Sequence, residues 1–200
     1  MKIVITGTDG GIGQRLVQKL QQHSVVALTR QHLDLSNISA VSRHNLEFTD
    51  MLINCAATDI GGKIDFVNHE TQCIIDIVNT NLLSPILLTK KVLANNHKCK
   101  IVNITSTNNN RYWPNDLVYS LTKQGLANFG DMLQIEYPDI SYLEIRLGLT
   151  KTTFNNNRYR YNPERFLDIY NNPYLSIDTV VDRIFSVLFD SNIKFIEISP

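Results

Sequence analysis

KIVNITSTNNNRYWPNDLVYSLTK, residues 100–123, joins a buried-strand pattern (KIVNIT) to a hydroxyl cluster, a polar and aromatic loop, and a tyrosine four residues before a lysine. On a helix, Tyr119 and Lys123 share one face about one turn apart. At that separation an ammonium favours a phenolate and draws a phenol pKa of about 10 toward neutral pH, which makes the tyrosine a candidate general acid or base. Any helix can carry Tyr-x-x-x-Lys by chance. The meaning of the pair therefore depends on its surroundings.

Outward from it, strand and helix patterns alternate. KIVIT (residues 2–6) is a β-branched run, and TGTDGGIGQRLVQKL follows with glycines and then helical spacing of Ile12, Leu16 and Leu20. Gly7, Gly11 and Gly13 stand at G-x-x-x-G-x-G spacing between strand and helix, where glycines permit a tight turn and let a pyrophosphate approach the helix N-terminus. SVVALT (24–29) is a second strand. RQHLDL (30–35) then leaves no room for a crossover helix, so the chain is expected to pass through a turn directly into a third strand at Asp34 and Leu35. At the end of the second strand Arg30 favours a 2′-phosphate, hence NADP, whereas Asp34, about 20 residues beyond the glycines, favours NAD; NADP is preferred. Residues 37–46 have weak helical character, DMLIN (50–54) is a short buried strand, and the small Ala56 and Ala57 behind it let a ligand lie against backbone.

From 71 to 96 the apolar spacing predicts one long helix, interrupted by Pro85. Its missing N–H releases the carbonyl of Asn81, so that carbonyl and the Asn81 side chain are free to hold a water or the Lys123 ammonium. On the other side of residues 100–123, a helix over 117–137, a sixth strand over 140–147 (ISYLEIRL), a helix over 177–189 and a seventh strand over 193–199 complete the pattern. Residues 151–172 are polar and aromatic and read as a lid over the site. Tyr112, Trp113, Tyr159, Tyr161 and Phe166 are candidates to wall a pocket, and Arg111, Arg158 and Arg160 to meet an anion; all could equally be surface residues. Alternating strands and helices predict a doubly wound parallel sheet of seven strands, helices on both faces, in a single domain over residues 1–200.

Composition narrows the function classes. Two hundred residues suit one domain that buries roughly 70% of its unfolded surface. The 19 basic and 19 acidic residues balance, so neither a nucleic-acid footprint nor a polybasic membrane contact is indicated. Cys55, Cys73 and Cys99 are odd in number and widely spaced, which suggests neither a disulfide framework nor a metal site and suits a reducing cytoplasm. No run looks apolar enough to span a membrane.

Taken in order, these motifs resemble the short-chain dehydrogenases/reductases over residues 1–152, and more loosely over the last 30. TGTDGGIG (6–13) is similar to the family's T-G-x-x-x-G-x-G turn, NCAA (54–57) to N-N-A-G with departures at Cys55 and Ala57, and NTNLLS to the segment bearing the helix asparagine, Asn81. ITS ends on Ser106, 13 residues before Tyr119, as in the family. The resemblance implies a catalytic set of Asn81, Ser106, Tyr119 and Lys123, with Tyr119 exchanging a proton with the substrate oxygen and Asn81 anchoring a water that relays protons through Lys123. It implies a dinucleotide held by Gly7, Thr8, Asp9, Gly11, Ile12, Gly13, Arg30, Asp34, Leu35, Asn54, Ala56, Ala57, Lys123, Gly148 and Thr150, with NADP(H) preferred and NAD(H) possible. A carbonyl or alcohol substrate, no metal, a cytoplasmic location and a homodimer or homotetramer are the further expectations. The strand ending in Leu147-Gly148, where Pro-Gly is usual, is a departure. VVALTRQHLDLSN and NCAATD also resemble the front half of dTDP-4-dehydrorhamnose reductases. Two other readings stay open: a dinucleotide-binding regulatory protein without chemistry, and a sugar-nucleotide reductase or epimerase.

Overall fold

The computed structural model describes residues 1–60, 64–109, 114–155, 171 and 173–200. Its centre is an all-parallel sheet in the order β2-β1-β3-β4-β5-β6. The strands are β1 (Lys2–Thr6), β2 (Ser24–Leu28), β3 (Met51–Asn54), β4 (Lys100–Ser106), β5 (Tyr142–Leu147) and β6 (Phe195–Ile198). The connecting helices are α1 (Gly11–Lys19), α2 (Ile38–Arg43), α3 (Thr71–Val78), α4 (Ser84–Asn95), α5 (Leu117–Glu136) and α6 (Ile177–Leu188). Strand residues alternate between two apolar layers. Ile3, Ile5, Ile53, Val102 and Ile145 face α1 and α6, whereas Val4, Leu52, Ile101 and Tyr142 face α2, α4 and α5. Leu16 and Leu20 of the first helical pattern are fully buried.

The sheet has six strands among the described residues, not the seven expected, and the missing one is that at Asp34 and Leu35. The backbone there is bonded locally. His32 and Leu33 both donate to the carbonyl of Thr29, and the Asp34 carboxylate accepts from the Ser36 N–H at 3.0 Å and from its hydroxyl at 2.8 Å. Those short-range bonds leave the segment no ladder to join. Leu33 and Leu35 are nonetheless buried, as strand residues would be. β2 is therefore an edge.

Pro85 does interrupt the long helix, but through an inserted turn. Between α3 and α4, Asn79–Leu83 form a π-turn in which the Ser84 N–H reaches back five residues to Asn79. Thr71–Asn95 as a whole is long and apolar enough, by length and composition, to cross a membrane, contrary to the sequence reading. Part of that apolarity lies in the core, where Ile77, Leu88 and Val92 have no exposure.

The chain reverses its direction of travel across the sheet at β1. A crevice at the strand C-termini there is where open α/β sheets bind ligands.

Candidate active site

A cleft of about 1070 Å³ runs along the strand C-termini, from Arg30 and Asp34 at one end to Ser106, Tyr119 and Lys123 at the other. In its middle, β1 hands over to α1 through the glycines. Gly7 has a φ of +71°, and a Cβ on it would stand 2.6 Å from the Cα of Ala56. A Cβ on Gly13 would stand 2.3 Å from the Gly7 carbonyl. Only glycine fits either place. The floor beside the turn is tied by Thr6, whose hydroxyl accepts from the N–H groups of both Cys55 and Ala56 at 3.1 Å. The α1 N-terminus has no side-chain cap and no acidic residue in its first turn, so its N–H groups and positive dipole end remain available to an anion. The cradle thus suits a pyrophosphate in both shape and charge.

The end near β2 is polar and open. Arg30 lies 3.6 Å from the Asp34 carboxylate, and the Asp9 carboxylate accepts from the Arg30 N–H at 3.4 Å. One cation and two carboxylates therefore meet where the chain leaves the second strand. The bonds from Ser36, with the charge of Arg30, hold the Asp34 carboxyl below its usual value, outweighing the opposing effect of its partial burial.

At the far end the groups are buried and tied. Lys123, 2% exposed, gives its ammonium to the Ile104 carbonyl at 2.8 Å and stands 5.9 Å from the centre of the Tyr119 ring. Burial pushes the lysine down to about 8, against a smaller opposing effect of the Cys55 thiol. Burial likewise pushes Cys55 up to about 11. Ser106 closes β4, and its Oγ accepts from the Asn108 N–H at 3.2 Å. Tyr119 packs its ring 5.7 Å from that of Phe154. The result is a hydroxyl, a phenol and an ammonium on two adjacent elements in one low-dielectric recess.

The family model for short chain dehydrogenases matches residues 30–162, about two thirds of the chain. This chain belongs to that family. As a member it is an NAD(P)-dependent dehydrogenase by class. Solved structures agree in fold. A serine dehydrogenase complexed with NADP+ superposes with a TM-score of 0.82 at 19% identity, covering 99% of this chain and 94% of that one. A 4-hydroxyisoleucine dehydrogenase complexed with NADH gives 0.80 at 20% identity, covering 100% and 97%. A short chain dehydrogenase family protein from Francisella tularensis gives 0.82 at 18% identity, covering 99% and 96%. No curated protein matches the sequence significantly. The front-half resemblance to dTDP-4-dehydrorhamnose reductases finds no support in any of these likenesses.

Of the residues expected in this dehydrogenase site, Gly7, Asp9, Gly11, Ile12, Gly13, Arg30, Asp34, Leu35, Ala56, Ala57, Ser106, Tyr119, Lys123, Gly148 and Thr150 all line the cleft. Thr8, Asn54 and Asn81 do not. Asn54 points into the sheet, donating to Asn103 at 2.9 Å. The Asn81 side chain is spent on other partners than those expected: it accepts from the Thr58 N–H and donates to the Thr58 carbonyl, both at 2.8 Å, and reaches the Thr122 hydroxyl at 3.2 Å. Lys123 is held by Ile104 instead. Sequence reasoning named none of Thr6, Asn108 and Asp116 as a site residue, although Thr6 opens the TGTDGGIG turn. A threonine ending a strand just before the glycines was the available signal for the first; the other two carry none. Residues 110–113 and most of the lid segment, with every pocket-wall candidate named above, lie outside the described residues.

Proposed function

We propose that this protein is an NADP(H)-dependent reductase of small polar carbonyl compounds, with Tyr119 as its general acid and base. The observation that carries this reading is the meeting of Ser106, Tyr119 and Lys123 at one end of a single cleft whose middle is a glycine cradle. When bound, the nicotinamide supplies the hydride. The Tyr119 hydroxyl hands its proton to the substrate oxygen. Lys123 keeps a positive charge close by, which stabilises the negative charge left on the phenol oxygen. Ser106 already accepts the Asn108 N–H, so its own proton is directed outward to the substrate oxygen, a contribution of about 3 kcal/mol for a donor of this type. Asn81 serves from behind by binding the loop at Thr58 to the helix of Lys123 through Thr122. With that side chain so occupied, the expected water relay, part of the same proposal, falls to the Asn81 main-chain carbonyl, which Pro85 has no N–H to engage.

Arg30 is the group that selects the 2′-phosphate, while Asp9 and Asp34 beside it leave room for NAD(H). Cofactors of both kinds in the superposed dehydrogenases support that breadth. A homodimer or homotetramer fits the apolar side chains left exposed on α3 and α5, among them Ile75, Leu121, Met132 and Ile135. A cytoplasmic setting suits three free thiols. The test is NADPH oxidation by the purified protein with a panel of small aldehydes, ketones and 2-keto acids. Turnover of at least one is expected. Tight NADPH binding with no oxidation on any of them would instead make the protein a dinucleotide sensor.

A further inference from the structure

Ser106 ends its strand, and a serine hydroxyl at a strand end has three staggered positions to choose from. Its orientation here rests on the Asn108 N–H, two residues on in the short 3-10 turn Thr107–Asn109. A donor so close in sequence aims at the hydroxyl only while that turn keeps its shape. Asn108 is 8% exposed, and its side-chain amide donates to the carboxylate of Asp116, which is 3% exposed. Asp116 stands at the N-cap of α5, where its own carbonyl accepts the Ser120 N–H at 2.9 Å. A carboxylate in that place ordinarily caps its own helix. This one makes no such bond, and it reaches across to the serine turn.

We infer that Asp116 is a positioning residue for Ser106, acting through Asn108. This rests on the reductase reading above. The geometry makes β4 and α5 one unit, tied at two points that bracket the serine: Lys123 to the Ile104 carbonyl two residues before it, and Asp116 to Asn108 two residues after it. The second tie is charge-assisted and almost wholly buried, the circumstances in which a hydrogen bond holds geometry best. Removing it lets the turn relax and the Asn108 N–H swing off the hydroxyl, while the glycine cradle, on different strands, is untouched.

A double-mutant cycle tests this, read as NADPH oxidation with whichever carbonyl of the panel the wild type turns over fastest. Asp116→Ala and Asn108→Ala should each lower kcat about tenfold, with KM for NADPH within twofold of wild type. In a Ser106→Ala background either change should cost less than twofold, because the hydroxyl being aimed is gone. Asp116→Asn, which keeps an acceptor oxygen, should recover most of the activity. If Asp116→Ala fails to unfold cooperatively, Asn108→Ala carries the cycle, since it removes the same bond from the other side and keeps the backbone N–H. A kcat within twofold of wild type in the single variants, or the same tenfold loss with and without Ser106, overturns the inference. Tyr119→Phe is the control for the parent reading. If it retains full turnover, or if the wild type oxidises no NADPH with any compound, the reductase reading fails and this inference with it; if it is inactive while the cycle is additive, only the inference fails.

Discussion

At the proposed catalytic end of the cleft Ser106, Tyr119 and Lys123 are each less than a tenth exposed, and two bonds tie the chain around β4 and α5 together. At the other end the Arg30 side chain is 63% exposed and its partner Asp34 42%. Under the proposed function the first region has to set distances in a dry recess, where a small displacement of a donor is costly and charges act strongly. The second would discriminate by charge in water, where the same interactions are weak and screened. The architecture explains the contrast. β4 lies between β3 and β5 and α5 packs its buried face on it, whereas β2 is an edge strand because the next segment folds into a local turn.

The largest effect is expected of Tyr119→Phe. It leaves the ring and its packing on Phe154 in place and removes only the proton donor. Turnover should fall at least about a thousandfold while NADPH affinity stays within about twofold. A variant with near-normal kcat would mean the buried end is merely well packed.

Next in size is a pH effect confined to the buried end. Burial brings the Lys123 ammonium down to about 8, so its charge is present below that pH and lost above it. The kcat/KM for carbonyl reduction should therefore fall above pH 8, approaching tenfold per further pH unit. Stability moves the other way. Between pH 8 and the 10.5 of an unfolded lysine, the unfolded chain holds a proton that the native lysine has shed, so this group makes the fold more stable as pH rises through that window. Activity lost above pH 8 without a fall in Tm would separate deprotonation from unfolding. A flat kcat/KM between pH 7 and 9.5 would remove Lys123 from the reaction.

The two ends also differed in how far the sequence could be read. Tyr119 and Lys123 were visible because helical spacing alone puts them on one face, and the glycines because they sit where a strand pattern turns into a helical one. Asn108 and Asp116 left no trace: their bond joins a turn to a helix cap across a loop, and neither type at that spacing is unusual. At the open end the reading failed differently. The shortness of RQHLDL pointed to a turn running straight into a strand, and Leu33 and Leu35 are buried like strand residues, yet Asp34 between them prefers the Ser36 N–H and hydroxyl to any ladder. Segment length and burial do not report where the backbone bonds go. Pro85 was similarly legible as a break, but the extra residue absorbed by the π-turn, and with it the direction of the Asn81 side chain, depends on Thr58 and Thr122 from other parts of the chain.

At the open end, Arg30→Ala should weaken NADPH binding about tenfold, the order expected for one exposed charge-assisted contact to a phosphate, and change NADH binding less than twofold. The kcat with saturating cofactor should hold. Equal losses for the two cofactors would make Arg30 a general adenosine contact and leave the choice between them to Asp9 and Asp34.

The smallest effect separates the two regions without any mutation. Raising salt from 0.05 to 0.5 M shortens the Debye length from roughly 14 to 4 Å, by the inverse-square-root dependence of screening on ionic strength. The Arg30 contact lies in water and should lose most of its attraction for a 2′-phosphate, so the Kd for NADPH should rise a few-fold. NADH, which lacks that phosphate, should respond much less. The Lys123 charge lies 2% exposed behind Tyr119, where mobile ions do not enter, and kcat at saturating NADPH should change by less than a factor of two over the same range. A salt-sensitive kcat together with a salt-insensitive NADPH affinity would invert the assignment: the catalytic recess would then be the wet region and the edge of β2 the dry one.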